Sequence, residues 1–157
     1  MIPIGLTLFI AFLWSLSPLL EKVLLGGLPM EAILILLALV YIICTFFYYI
    51  WHRKKVNEAI VNLQWKYVGI ILVAAIVGAF IPNILFLKVL SNHDSYIVTS
   101  LTYLSPMFTM ALAYWFLREN ISLWSFFGVV LIVTGIIFII IHEHRKDILD
   151  EQYEFLG

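Results

Sequence analysis

Three prolines stand inside long apolar stretches, each beside polar side chains: Ser15 and Ser17 by Pro18, Asn83 after Pro82, and Ser105 before Pro106. A proline at position i has no N–H for the carbonyl at i−4, so the carbonyls of Trp14, Gly78 and Thr102 are freed. In hydrocarbon a freed carbonyl is tolerated only where protein or water satisfies it. Hydroxyls, an amide and open carbonyls hold a solute by hydrogen bonding rather than making or breaking its bonds. Interrupted helices with polar side chains near the bilayer midplane are one way to build such a site. The same prolines also suit packing alone; their polar neighbours favour a cavity.

The stretch around Pro106 adds Ser95, Thr99, Thr102, Ser105 and Thr109, spaced by four, three, three and four. On a helix that spacing forms one polar stripe, with Tyr96, Ser100 and Tyr103 on a neighbouring line. Small hydroxyl residues let helix backbones approach closely, which accounts for part of the stripe, whereas tyrosines suit a pocket wall. The candidate solute-pathway residues are therefore Trp14, Ser17, Asn83, Thr99, Thr102, Tyr103 and Ser105, with Pro18, Pro82 and Pro106 as kinks. In the last stretch Gly128 and Gly135 are seven apart, within about 20° of one helix face, and Ser125 lies near that face. They form a small-residue groove for another helix, from this chain or from a second copy.

Equally informative is what is missing. No Asp, Glu, Lys, Arg or His lies deep in an apolar stretch. Glu21, Lys22 and Lys88 sit near helix ends, where long side chains reach the interface, and are read as anchors. The sequence has no metal-ligand spacing, nucleophile triad or phosphate loop, and Cys44 is its single cysteine. An enzyme is not expected, nor are a metal or a cofactor. A net charge of −1 leaves no nucleic-acid footprint.

The elements that must position these residues follow from composition. The chain is 64% hydrophobic and 12% charged, with a mean hydropathy of +1.06, so its solvent must be lipid. Five apolar runs, over 4–25, 31–51, 67–87, 95–116 and 123–141, each supply the roughly 20 helical residues that cross a hydrocarbon core. The expected fold is all-α: a polytopic membrane protein, a bundle of five transmembrane helices in one domain (1–142), with a polar acidic tail (143–157). The first run lacks a basic start and is too long for a signal peptide. Gly26, Gly27 and Pro29 make a tight first turn, residues 52–66 form the one sizeable loop, and Ser122 caps the last helix. With five crossings Tyr48, Tyr49, Trp51, Trp65, Tyr67, Tyr114, Trp115 and Trp124 share one membrane face, as an interfacial belt requires. Trp14 alone among the tryptophans falls mid-membrane. Basic residues divide five against four between the two faces, leaning towards an N-terminus inside, and a near-balance also fits a protein that inserts both ways.

Several of these residues, in order, resemble the repeat unit called EamA of the drug/metabolite transporter superfamily. They are Phe86 to Leu90 with Lys88, Ser105 to Thr109 with Pro106 and Phe108, Leu117 with Glu119, and Gly128 with Gly135; Leu13 to Ser15, Lys22 and Pro29 resemble the unit's opening. The resemblance covers about residues 5 to 141. Family members often have a glycine after the tryptophan and an arginine in the second helix. Here Ser15 follows Trp14 and the second run has no arginine, so a substrate charge does not carry over. Most members hold two such units; a single one looks like the half-sized bacterial/archaeal transporter branch. The last run also resembles the dimer-forming helix of the small multidrug resistance proteins. Their deep acid in the first helix has no equivalent at Trp14, which disfavours proton-coupled export of cations. The resemblance implies a plasma-membrane transporter of a small organic metabolite or drug, working by alternating access. A homodimer, antiparallel in one version, follows from the single unit, the balanced loop charges and the glycine groove. The rival is a non-transporting scaffold or assembly factor on the same fold.

Overall fold

The computed structural model describes the backbone of residues 3–156 and the side chains of residues 3–143 and of Arg145. Among the described residues the chain is helical and contains no strand. Its elements are α1 (Ile4–Leu25), α2 (Met30–Val61), α3 (Trp65–Ala75), α4 (Ile81–Asn92), α5 (Ser95–Thr102), α6 (Ser105–Leu112) and α7 (Leu123–Leu156). Two π-helical turns, Ile76–Phe80 and Ala113–Leu117, link α3 to α4 and extend α6. Five segments are long and apolar enough to cross a membrane: Ile4–Leu25, Met30–Val61, Trp65–Asn92, Ser95–Leu117 and Leu123–Glu143.

Two boundaries differ from the sequence expectation. The second helix does not end at Trp51: α2 continues to Val61, so most of the expected 52–66 loop is helix. No Gly or Pro interrupts His52 to Val61, and Arg, Lys, Glu and Ala are good helix formers once hydrocarbon no longer selects against charge. Tyr48 stacks on His52 at 4.2 Å between ring centroids, and the Tyr49 hydroxyl donates to Asn57 Oδ1 at 3.0 Å. Asn62 then donates its side-chain amide to the Glu58 carbonyl at 2.9 Å where the helix stops. The last helix likewise runs past 141, to Leu156. The acidic side chains expected in the tail, Glu143 excepted, lie outside the described residues.

The prolines act in three ways. α1 runs unbroken through Pro18, which is buried. Ahead of Pro82 the helix widens: the Ile81 N–H donates to the Ile76 carbonyl, five residues back, in the turn where the proline ring would strike an α-helical carbonyl. At Pro106 the helix is cut. α5 ends in a turn at Tyr103 and Leu104, and Pro106 opens α6, a position where its missing N–H costs nothing. The second π turn closes at Arg118 in the left-handed region, φ 53°. The Glu119 N–H then donates to the Ala113 carbonyl at 3.2 Å. Ser122 caps α7 as its type predicts, its hydroxyl accepting from the Trp124 N–H at 3.3 Å.

The chain forms two compact units, Met1–Asn92 and His93–Gly157. In the first, α1, α2 and α4 touch one another around Pro18, Ile33, Leu87 and Leu90, with Leu90 fully enclosed. In the second, α7 packs against α5 and α6, burying Val98 and Ile136. Most other large apolar side chains are exposed, because a bilayer rather than water covers them. Helix association in lipid gains nothing from hiding apolar surface and depends on dispersion contacts and polar ties.

Candidate functional site

The first unit holds a cleft of about 860 Å³, within the roughly 300–1,000 Å³ typical of small-molecule sites. Its walls follow helix periodicity. α1 contributes Trp14, Ser17 and Glu21, at the i, i+3, i+7 spacing of a single face, and α2 contributes Leu34, Leu37, Ala38 and Tyr41 on one face with Val40 beside it. The third wall has Ala75 before the π turn, Ala79 and Phe80 within it, and Asn83 and Leu87 beyond it. Ala38, Ala75 and Ala79 leave the space open because they carry one carbon each. The π turn re-phases the helix, so residues on both sides of it face the same cleft.

Trp14, Ser17 and Asn83, singled out in the sequence, thus share one space. Glu21, expected from the sequence as an interfacial anchor, and Tyr41, which carries no such expectation, join them. Ser17 Oγ donates to Glu21 Oε1 at 2.8 Å, which occupies one of about four acceptor directions on a carboxylate. Glu21 is half-buried. The signal for it was present in the sequence: Ser17 and Glu21 are an i, i+4 pair on the face of Trp14. Lys22, also expected as an interfacial anchor, donates its ammonium to the Leu90 carbonyl at 2.7 Å. Leu90 lies in the last turn of α4, where carbonyls lack intrahelical partners. Lys22 therefore ties α1 to the negative end of α4.

The candidates in the second unit spread over different surroundings. Thr99 Oγ1 donates to the Ser95 carbonyl and Thr102 Oγ1 to the Thr99 carbonyl, both at 2.7 Å, so these hydroxyls serve their own helix. Tyr103 lines a mainly apolar cleft of about 390 Å³ with Ser100, Pro106, Gly135 and Ile136. Ser105 lines another of about 590 Å³ with Thr109, Glu119, Asn120, Ser122 and Ser125. Neither lining contains Thr99 or Thr102. Beside Gly128 and Gly135 an added Cβ would meet nothing within 4 Å. Within the second unit no helix settles closely at either glycine.

Among the described residues no three His, Cys, Asp or Glu side chains gather as metal ligands. What the first cleft offers is reversible recognition: a carboxylate and a hydroxyl at one end, an amide donor and acceptor on Asn83, and aromatic surfaces from Trp14, Tyr41 and Phe80. From Trp14 to Glu21 the rise along α1 is about 10 Å, a span suited to a small organic molecule.

No curated protein matches the chain. No solved structure matches it either. The family model described as the EamA-like transporter family matches residues 1–141, nearly the whole chain. With its five membrane-crossing helices, this integral multi-pass membrane protein belongs to the EamA-like transporter family.

Proposed function

We propose that the protein carries a small organic solute across the membrane by alternating access, using the cleft between α1, α2 and the α3–α4 segment as its solute site. The carrying observation is the convergence of Trp14, Ser17, Glu21, Tyr41 and Asn83 on one space of small-molecule size. In a purely structural assembly of membrane helices such a space would be filled by side chains, since unfilled volume forfeits dispersion contacts. The interrupted helix beside Asn83 supplies a place where backbone geometry can change at low cost, as moving half-helices in transporters require.

The functional form in this reading is a homodimer in the plasma membrane. Trp14 and Tyr41 border the cleft yet are 76% and 74% exposed, so α1, α2 and the α3–α4 segment by themselves leave a solute uncovered. Small-molecule sites commonly bury 70–90% of the ligand; a second copy supplies the missing wall, and the open faces of Gly128 and Gly135 offer it a place to dock. Near-equal basic charge on the two membrane faces supports an antiparallel pair. No covalent chemistry is assigned to the site.

The test is efflux from proteoliposomes loaded with a mixed small-metabolite extract and followed by mass spectrometry. Protein-dependent loss of particular solutes is expected, and Trp14→Ala and Asn83→Ala should each reduce it at unchanged expression. Equal efflux from both variants and the wild type would remove this cleft as the site. No protein-dependent efflux at all would favour a scaffold.

A further inference from the structure

Within the reading that this cleft holds the solute, we propose that it selects organic cations: a small ammonium compound with an aromatic or alkyl body. Glu21 is the only charged residue in the cleft lining. Neither Lys22 nor Lys88 lines the cleft. Lys22 follows Glu21 in sequence, about 100° further round the helix, and its ammonium lies on the Leu90 carbonyl. The hydrogen-bond partner of Glu21 is the Ser17 hydroxyl, which orients the carboxylate without neutralising it. An anionic solute would meet a like charge with no compensating cation in the walls. A neutral solute would leave the carboxylate's remaining acceptor directions unmatched in a space partly shielded from water, a costly arrangement.

The rest of the lining fits the same chemistry. Trp14 and Tyr41 offer electron-rich faces to a cation, Trp being the best such partner, and Phe80 adds a third ring. Trp14 shares the α1 wall with Glu21, and Tyr41 and Phe80 line the other two walls of the same space, so one molecule can place its charge near Glu21 while its apolar body lies along the rings. Asn83 orients the solute through its amide, and the leucines of α2 and α4 exclude water.

Three probes of similar size separate the possibilities, measured by saturation-transfer NMR and calorimetry on the full chain in non-ionic detergent at neutral pH: benzyltrimethylammonium, N-benzylacetamide and phenylacetate. The wild type should bind the cation at least tenfold more tightly than the other two. Glu21→Gln, which keeps the shape and an acceptor for Ser17, should weaken cation binding at least tenfold. Adding Asn83→Asp to it, which returns an acid to the same cleft, should restore part of the loss. Comparable binding of all three probes by the wild type, or a Glu21→Gln variant that binds the cation unchanged, overturns cation selection while leaving the solute-site reading intact. Binding of none of the probes also overturns it. The efflux of Trp14→Ala and Asn83→Ala then decides the solute-site reading separately.

Discussion

Replacing Lys22 by methionine distinguishes a clamp from an anchor. The Lys22 ammonium lies 2.7 Å from the Leu90 carbonyl and is partly buried. Two further ties hold the same helix end: Ser91 Oγ and Asn92 Nδ2 both donate to the Lys88 carbonyl, at 2.7 and 3.1 Å. Leu90 is left to Lys22. A hydrogen bond to a charged group contributes about 1.5–3 kcal/mol, and methionine keeps most of the aliphatic stem, so this is the expected loss for Lys22→Met. For a chain of this length about 2–4 °C of melting temperature accompanies each kcal/mol, giving a fall of about 3–12 °C. Thermal unfolding of purified protein in non-ionic detergent, followed by tryptophan fluorescence, measures it. Lys88→Met is the control, because Lys88 is exposed and its loss should stay within about 0.5 kcal/mol. If the two lysines were both interfacial anchors they would respond alike. Equal shifts for Lys22→Met and Lys88→Met would refute the clamp.

Three other outcomes follow from the geometry. Pro82→Ala restores an N–H, and a return from the π turn to regular helix would rotate Asn83 by about 100°. Efflux should fall, and a cysteine at position 83 in a Cys44→Ser background should lose its reactivity towards aqueous thiol reagents on adding Pro82→Ala; unchanged reactivity would show that the turn does not depend on the proline. Lys55→Pro lies inside α2 and should cost about 3 kcal/mol in the same thermal assay, whereas a loop at this position would absorb proline with little change. Gly135→Leu should leave the isolated fold stable, since an added Cβ meets nothing. It should shift the particle from dimer to monomer in light scattering coupled to size exclusion, and an undisturbed dimer would place the interface elsewhere.

The covalent chain alone was enough to place five membrane-crossing helices, because about 20 apolar residues per run admit few other solutions in lipid. It also marked Trp14, Ser17 and Asn83, since polar groups beside prolines are conspicuous against hydrocarbon. Residues whose role depends on a neighbouring helix were less legible. Glu21 and Lys22 look alike in sequence, as two charges near a helix end, yet they lie about 100° apart on α1; one turns into a cleft and the other onto the end of α4. The lack of an acid at Trp14 bears on proton-coupled export of cations, whereas Glu21, two turns further along the same face, is the acid that lines the cleft. Tyr41 had no polar neighbour to mark it, and the helical extension to Val61 escaped a reading based on apolar periodicity because charge replaces apolarity beyond Trp51.

The stripe on α5 and α6 shows the same division. Its spacing was real, but spacing cannot tell whether a threonine hydroxyl faces a solute or its own backbone, and Thr99 and Thr102 choose the backbone. Hydropathy is a property of each residue and its solvent, so it determined the number and extent of the helices before any contact was known. A cleft is made by what is absent between helices, and the three alanines and one widened turn that open it are meaningful only once α1, α2 and α4 stand side by side.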